Sequence, residues 1–205
     1  MVYLLIAFFK KYVKIDLKRK RIKNMQLFDG RPMDVVGRED REVRVYDFLD
    51  ELQIKYSRVD HEKAETMEAC KAIDEVLGIQ MCKNLFLCNR QKTSFYLLLM
   101  PADKPFKTKE FSKQLGVSRL SFADEEFMLK YLDIKPGAVS VMGLINDSDC
   151  DVTLAIDREV IEKEYVGCHP CVNTSSLKIK TSDLLDKILP TTKHNPIIVD
   201  LIGLE

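Results

Sequence analysis

The chain lacks the sequence patterns that identify several common enzyme classes. It has no Gly-rich phosphate loop, no HExxH helix and no GxSxG elbow, so nothing in it favours an NTPase, a metalloprotease or an α/β-hydrolase. It also lacks an apolar run of the roughly 18 residues that a membrane span requires, so we expect no membrane partner. Because it shows no leader-like cleavage site, its six cysteines favour the reducing cytoplasm over a disulfide framework.

Charge is unevenly distributed along the 205 residues. Hydrophobic residues make up 46% and charged residues 31%, which is typical of a soluble globular protein, and the length favours one domain. The formal net charge is zero, but residues 10–23 contain eight Lys or Arg and one Asp, so this segment carries +7 and the rest of the chain −7. A body this acidic needs a local basic patch to bind RNA.

The N-terminal segment is interpreted as an extension outside the fold. A short apolar run at residues 2–9 precedes the basic residues, which is the reverse of the order in a signal peptide. The alternative is a basic amphipathic anchor or an RNA-binding arm. We favour the extension, with translation beginning at Met25, and therefore assign residues 1–38 to an extension and linker and residues 39–205 to the folded domain.

Helical and strand-like patterns follow one another without regular alternation. Helices are predicted at 41–52, 66–77 and 124–132, the second with a buried stripe of Cys70, Ile73 and Leu77. Strands are predicted at 54–59, 82–88, 94–100, 138–145, 152–156, 167–174 and 177–179. The strands 82–88 and 94–100 are expected to form an antiparallel hairpin. The pattern predicts a single α+β domain with one mixed, curled, barrel-like sheet flanked by helices.

The most conspicuous local pattern is Cys168-His169-Pro170-Cys171. Its spacing fits a thioredoxin-type redox pair or half of a zinc site. The residues that follow form a poor helix start, although a redox pair should open a helix, and there is no second CxxC to complete a zinc site. Ordinary buried cysteines are therefore the favoured interpretation.

Two further side chains are candidates for chemistry. His169 precedes a segment rich in hydroxyl and amide groups that could line a polar cleft, although a lone histidine is more often structural. Lys83 opens an apolar strand, where a buried ammonium needs an anion, a carbonyl or a carboxylate as partner. The alternative for Lys83 is a solvated strand-end lysine. His61 and His194 lie in polar surroundings and are predicted to be surface residues.

Four motifs occur in the order of a known family. They are Lys83-Asn84-Leu85-Phe86-Leu87, Lys135-Pro136-Gly137-Ala138-Val139-Ser140, Gly143-Leu144-Ile145-Asn146-Asp147 and His169-Pro170-Cys171-Val172-Asn173-Thr174. Together they resemble the YbaK/ProX family of aminoacyl-tRNA deacylases, which are related to the editing domain of bacterial prolyl-tRNA synthetase. The likeness covers about residues 41–188.

The resemblance implies a role for each matching residue. Lys83 and His169 would be the catalytic residues, and the family is described as using no metal or other cofactor. The substrate-binding residues would be Asn84, the loop residues Gly137, Ala138, Val139 and Ser140, and Asn173. One departure is Val141, which stands where the family loop usually has proline.

The resemblance also implies the substrate and the partners. The expected reaction is hydrolysis of mischarged tRNA(Pro) in trans, with alanine as the first choice of amino acid. The alternatives are a deacylase for cysteine on tRNA(Pro) and a non-catalytic tRNA-binding module associated with a synthetase. Mischarged tRNA(Pro) is the expected partner, with prolyl-tRNA synthetase as a second.

Overall fold

In the computed structural model, which describes residues 25–64 and 66–203, strands divide between two sheets flanked by helices. The strands within these residues are β1 (Leu27–Asp29), β2 (Tyr56–Asp60), β3 (Cys82–Cys88), β4 (Phe95–Pro101), β5 (Ser121–Phe122), β6 (Val152–Asp157), β7 (Tyr165–Cys168), β8 (Ser175–Lys180) and β9 (Ile197–Val199). The protein is a mixed α+β domain, as predicted.

The helices of the same residues are mostly short. They are α1 (Asp40–Glu51), α2 (Met67–Leu77), α3 (Thr108–Gln114), α4 (Glu125–Phe127), α5 (Arg158–Ile161), α6 (Thr181–Asp183) and α7 (Leu189–Thr191). A π-helical turn, Met128–Leu132, continues α4, and another, Leu184–Ile188, joins α6 to α7. A 3₁₀ helix spans Val141–Asn146. No helix in this part of the chain is both long and apolar enough to cross a membrane.

The first sheet is antiparallel and the second is mixed. The first has the strand order β1-β2-β8-β7, and the second has the order β5-β3-β4-β6-β9. The predicted hairpin is confirmed, because β3 pairs with β4 from Cys82↔Pro101 to Cys88↔Phe95. Parallel pairing of β4 with β6 and of β6 with β9 makes the second sheet mixed. Neither strand order closes on itself, so the prediction of one curled, barrel-like sheet is corrected to two sheets.

The two sheets meet at an isolated parallel bridge between Met81 and Gly167. A Cβ on Gly167 would lie 2.9 Å from the Met81 Cα and 2.8 Å from its Sδ. Since real Cβ atoms do not approach backbone so closely, the absence of a side chain at Gly167 allows β7 to lie beside the start of β3. This junction positions the candidate site.

Strand alternation divides the core between the two faces of the second sheet. Phe86 and Leu97 point to the main core, which also contains residues of α1, whereas Leu87 and Leu98 point to a smaller core that includes Phe111 of α3. Both faces of β3 and β4 are therefore covered. This explains why these strands have nearly continuous apolar sequences.

Part of the segment assigned to the extension and linker packs against the folded domain. β1 lies inside the segment 1–38 but pairs with β2, and Arg38 donates to Asp60 of β2 at 2.7 Å. Residues 27–38 are thus held against the first sheet, because they satisfy the edge of β2 and charges beside it. Residues 1–24, including the basic segment, lie outside the described residues.

Three local predictions are also wrong. Residues 138–145 do not form a strand, because Ser140 caps the 3₁₀ helix by accepting from the Met142 N–H at 3.2 Å. The strand predicted at 167–174 ends at Cys168, and residues 169–174 form the turn to β8. In α2, Cys70 is exposed and Ala72 takes its place in the buried stripe with Ile73 and Leu77.

Candidate active site

The loop 137–140 lies against the turn that follows β7. The Ser140 Oγ donates to the backbone carbonyl of His169 at 2.6 Å. Gly137 has a φ of +86°, and a Cβ there would lie 3.5 Å from the Asn173 Nδ2. The structure therefore brings together Gly137, Ser140, His169 and Asn173. Ala138 is buried and Val139 is partly buried, and both pack with the main core.

The hydrogen bonds of His169 define its tautomer. Its Nδ1 lies 2.8 Å from the Ser175 carbonyl oxygen, which can only accept, so Nδ1 carries the proton and Nε2 a lone pair. Burial lowers the pKa of His169 to about 4, against the effect of the Ser175 hydrogen bond. At neutral pH this side chain is an uncharged ring that can accept a hydrogen bond.

His61 is a second histidine of this site, and sequence reasoning missed it. Its ring centroid lies 6.2 Å from that of His169, and its Nε2 lies 2.9 Å from the Ser176 Oγ. The same Oγ is 3.4 Å from the His169 Nδ1, so one hydroxyl connects both rings. Burial lowers the pKa of His61 as well. The prediction of a surface position is wrong because β2 carries His61 onto the hydroxyl groups of β8.

His194 is not a surface residue either. It is 4% exposed, and its Nε2 lies 3.0 Å from the Asp147 Oδ2. Asp147 also accepts from the Asp151 and Val152 N–H groups. The Asp147–His194 pair stabilises the turn before β6, so the role of His194 is structural.

A network of polar side chains adjoins the segments that carry His61 and His169. The Tyr46 hydroxyl donates to the Glu42 carboxylate at 2.7 Å and lies 3.2 Å from the Ser175 Oγ. Arg38 bridges Glu42 and Asp60 at 2.5 and 2.7 Å. Burial raises the pKa of Tyr46, whereas hydrogen bonds from Arg38 lower the pKa of Asp60 although burial opposes them. The network fixes α1, β2 and β8 and hence the backbone of both histidines.

Lys83 lies on β3 with its ammonium directed away from the main core. Its Nζ donates to the Lys104 carbonyl oxygen at 2.9 Å, and its side chain lines a pocket of about 590 Å³. Asn84 projects from the opposite face of the strand. Its Oδ1 is buried and has no hydrogen-bond partner among the residues that the structure describes. Lys83 and Asn84 therefore serve different faces of β3.

The junction of the sheets relates Lys83 to His169. Each lies two residues beyond one partner of the parallel Met81–Gly167 bridge, so both backbones leave the junction in the same direction, about 7 Å further along each chain. Within the described part of the chain, no hydrogen bond joins the two side chains, because Lys83 bonds to Lys104 and His169 to Ser175. Both residues therefore follow the junction closely in sequence, and their side chains have different partners.

The cysteine pair has the opposite properties to those of a redox site. Cys168 and Cys171 are both buried. Burial raises the pKa of the Cys171 thiol to about 12 and raises that of Cys168 further. A reactive thiol requires a lowered pKa, so the redox alternative loses its support. No group of three or more potential ligands among the described residues is placed to hold a metal ion.

A family model described as "Aminoacyl-tRNA editing domain" matches residues 61–187. The chain belongs to the aminoacyl-tRNA editing domain family. The match begins at His61 and contains Lys83, the loop 137–140 and His169. Membership of this family confirms the resemblance that the four sequence motifs indicated.

Two curated relatives are similar to the chain over two thirds to three quarters of its length. The chain is 32% identical over 136 residues to the prolyl-tRNA editing protein ProX of Acetoanaerobium sticklandii. The aligned region covers 66% of this chain and 83% of that protein. The chain is 31% identical over 155 residues to prolyl-tRNA synthetase associated domain-containing protein 1 of Danio rerio, which covers 75% and 83% respectively.

A solved structure supports the editing-domain fold. A crystal structure described as that of a candidate trans-editing enzyme for prolyl tRNA synthetase matches 80% of this chain and 97% of its own, with a TM-score of 0.59 and 15% identity. At this identity, the likeness shows the fold alone.

Proposed function

We propose that the protein is a trans-editing deacylase that hydrolyses the ester between a small, wrongly attached amino acid and tRNA(Pro), with alanine as the first substrate. The family match and the name of the ProX relative support the class of reaction. The observation that carries the proposal is the loop 137–140, which the Ser140 hydroxyl holds on the His169 backbone beside an uncharged imidazole.

An aminoacyl ester is already activated, so its hydrolysis needs no covalent nucleophile. A water molecule has to be placed beside the ester carbonyl, and the developing oxyanion has to be stabilised. The His169 Nε2 is suited to accept a hydrogen bond from that water or from the aminoacyl group. With a pKa of about 4, it is a weak base, so its role is positioning, and a neighbouring ribose hydroxyl of the substrate can assist.

Lys83 supplies positive charge to the substrate. Its Nζ uses one of three donors on the Lys104 carbonyl, so two remain for the ester carbonyl or the terminal phosphate. Asn84 matches a substrate-binding residue of the family, but it faces the other side of β3 and its buried Oδ1 is unpaired within the described residues, so its part is to hold this strand unless the side chain turns out of the core. Gly137 and Asn173 are neighbours, since a Cβ at Gly137 would lie 3.5 Å from the Asn173 Nδ2, and they would form the wall on the loop side.

The loop gives a basis for selection by size. A synthetase pocket built for a larger residue discriminates by only about 1–3 kcal/mol per methylene, so a second, smaller pocket is needed to remove alanine. Val141 begins the 3₁₀ helix behind the loop and is fully buried. Val141 occupies the first position of this helix, where proline is readily accepted. A valine and a proline are therefore both compatible with the turn at this position.

The proposal is tested by a deacylation assay with tRNA(Pro) carrying alanine, cysteine, serine or proline. We expect fastest hydrolysis of the alanyl ester and none of the prolyl ester. Lys83→Ala and His169→Ala should each remove activity, whereas Lys187→Ala, at an exposed lysine outside the site, should not. Faster hydrolysis of the cysteinyl ester would replace alanine with cysteine as the proposed substrate. Wild-type protein that binds tRNA but hydrolyses no ester would refute the proposed deacylase activity.

The proposed setting is the cytoplasm, with prolyl-tRNA synthetase as a second partner. The name of the Danio rerio relative associates its domain with that synthetase. All six cysteines are free in the structure, which suits a reducing compartment.

A further inference from the structure

The carbonyl group that holds Lys83 belongs to a residue whose own side chain is buried. The Lys83 Nζ donates to the Lys104 carbonyl oxygen at 2.9 Å. The side chain of Lys104 is 10% exposed, and its Nζ lies 2.8 Å from both carboxylate oxygens of Asp157, the last residue of β6, whose side chain is 1% exposed. Although burial lowers it, hydrogen bonds with Asp157 and Glu159 raise the pKa of Lys104. Lys104 therefore keeps its charge at neutral pH.

The segment 200–203 holds the same lysine from a second side. The Lys104 Nζ donates to the carbonyl oxygen of the buried residue Leu201 at 2.7 Å. A Cβ on Gly203 would lie 3.0 Å from the Pro105 carbonyl oxygen, so this segment also packs closely on the backbone that follows Lys104. Because β6 holds the ammonium group and the segment 200–203 adjoins both the ammonium and the backbone, the Lys104 carbonyl has little freedom to move.

The two ammonium groups have different electrostatic environments. The charge of Lys104 is compensated by the carboxylate of Asp157, and Lys104 offers Lys83 only its backbone oxygen. A neutral carbonyl fixes an ammonium group without cancelling its charge, so Lys83 keeps that charge for a ligand. The arrangement therefore holds Lys83 in place and leaves it cationic.

We propose that the buried Lys104–Asp157 pair fixes the Lys104 carbonyl and thereby places the ammonium group of Lys83. Lys104 and Asp157 are positioning residues, because they act through Lys83 and not on the substrate. The use of the placed ammonium in ester hydrolysis rests on the proposed function, whereas its placement does not. Since a displacement of about 1 Å can lower a rate by about 100-fold, loss of the pair should affect activity well beyond its effect on stability.

The test combines kinetics with NMR of the isotope-labelled full-length protein, in which Lys83→Arg assigns the ammonium signal of Lys83. The test variant is Lys104→Met/Asp157→Asn, because removal of both charges leaves no unpaired charge in the core. Its Asn can still accept the hydrogen bond that Asp157 accepts from the Glu159 N–H. We expect the folded variant to lose or shift the Lys83 signal and to lose about 10- to 100-fold in kcat/KM for alanyl-tRNA(Pro). Lys104→Arg, which can keep the ion pair, should restore most of both.

The matched control is Arg158→Met/Asp200→Asn. It removes an exposed ion pair whose residues adjoin Asp157 and Leu201 in sequence, and it changes the net charge no more than the test variant does. Because this pair does not bond to Lys104, its loss should change neither the Lys83 signal nor kcat/KM.

Three outcomes would overturn the inference. An unchanged Lys83 signal in the folded test variant would show that the buried pair is only structural. A shifted signal with full activity would show that the placement of Lys83 does not matter, and an equal loss of activity in the control would indicate a general effect of charge. Failure of the deacylase is separate: wild-type protein whose Lys83 signal depends on the pair but which hydrolyses no ester keeps the placement and refutes the proposed function.

Discussion

A change of pH across the usual titration range of histidine tests the environment of His169. Between about pH 8 and about pH 5, a solvent-exposed imidazole with a pKa near 6.5 takes up a proton. We expect His169 to stay neutral throughout, because burial lowers its pKa to about 4 and its Nδ1 proton is already committed to the Ser175 carbonyl. Its part in deacylation should therefore persist at acidic pH.

The magnitude follows from the difference between the folded and unfolded chain. At 1.36 kcal/mol per pH unit, a fall from 6.5 to about 4 corresponds to at most about 3.4 kcal/mol of unfolding free energy. Above pH 6.5 neither state binds a proton at this ring. Between 6.5 and about 4 the unfolded chain binds one and the folded chain does not, so the free energy of unfolding falls as the pH falls. Partial exposure of the ring makes the observed loss smaller.

The assay combines NMR titration with unfolding measurements. The three histidine resonances are assigned with His61→Gln and His194→Gln, and the signal of His169 should show no inflection between about pH 5 and pH 8. His169→Asn is the matched control for stability, because its amide can donate to Ser175 without titrating. The wild type should lose more stability than this variant between pH 7 and pH 4.5, by up to about 2.4 kcal/mol. An imidazole signal that titrates near 6.5 would refute the buried, neutral ring.

Three substitutions test the junction and the loop. Gly167→Ala places a Cβ 2.9 Å from the Met81 Cα and should lower the free energy of unfolding in urea by about 1–3 kcal/mol; an unchanged midpoint would show that the sheets do not meet so closely. Ser140→Ala removes the hydrogen bond to the His169 carbonyl and should lower the free energy of unfolding by about 1–2 kcal/mol, with a lower melting temperature. It should also lower kcat/KM for alanyl-tRNA; a variant as active as wild type would contradict the role of the loop. Val141→Pro should fold with stability within about 1 kcal/mol of wild type because it begins the 3₁₀ helix; collapse in a thermal melt would show that this turn does not accept the family residue.

Local pattern predicted the structure where the interacting residues are close in sequence. The β3–β4 hairpin follows from two apolar runs and the short polar turn between them, and it formed with nearly the predicted bounds. The same logic failed at residues 138–145, where an apolar run looks like a strand. There Ser140 caps a tight helix, and Gly143 packs so closely on Leu132 that its ideal Cβ would lie 2.9 Å from the Leu132 Cβ. Periodicity records that the segment is buried but not which backbone conformation buries it.

Long-range partners explain what the sequence could not predict in the site. His61 stands next to Asp60 and Glu62, which indicates a surface position, but its partner Ser176 lies 115 residues away. Tyr46 and Ser175 are separated by 129 residues. Neither contact has a local signal, because pairing of β2 with β8 creates the first and the position of α1 against β8 creates the second. The resemblance to a family identified His169 and Lys83 by their motifs, but only the fold shows that one is surrounded by neutral hydroxyl groups and the other by cations.

This separation of charge has a consequence for how an acidic domain could act on RNA. The −7 charge outside residues 10–23 opposes non-specific attraction to the body of a tRNA, so affinity has to arise locally. The cations Lys107, Lys109 and Arg119 line the pocket at Lys83, whereas the imidazole rings of His61 and His169 are neutral because burial lowers their pKa values. Had His169 been protonated, it would attract phosphate itself and compete with the basic pocket for the RNA backbone. Under the proposed function, a neutral ring and a separate cationic pocket favour one orientation of the substrate, with the phosphates at Lys83 and the ester towards His169.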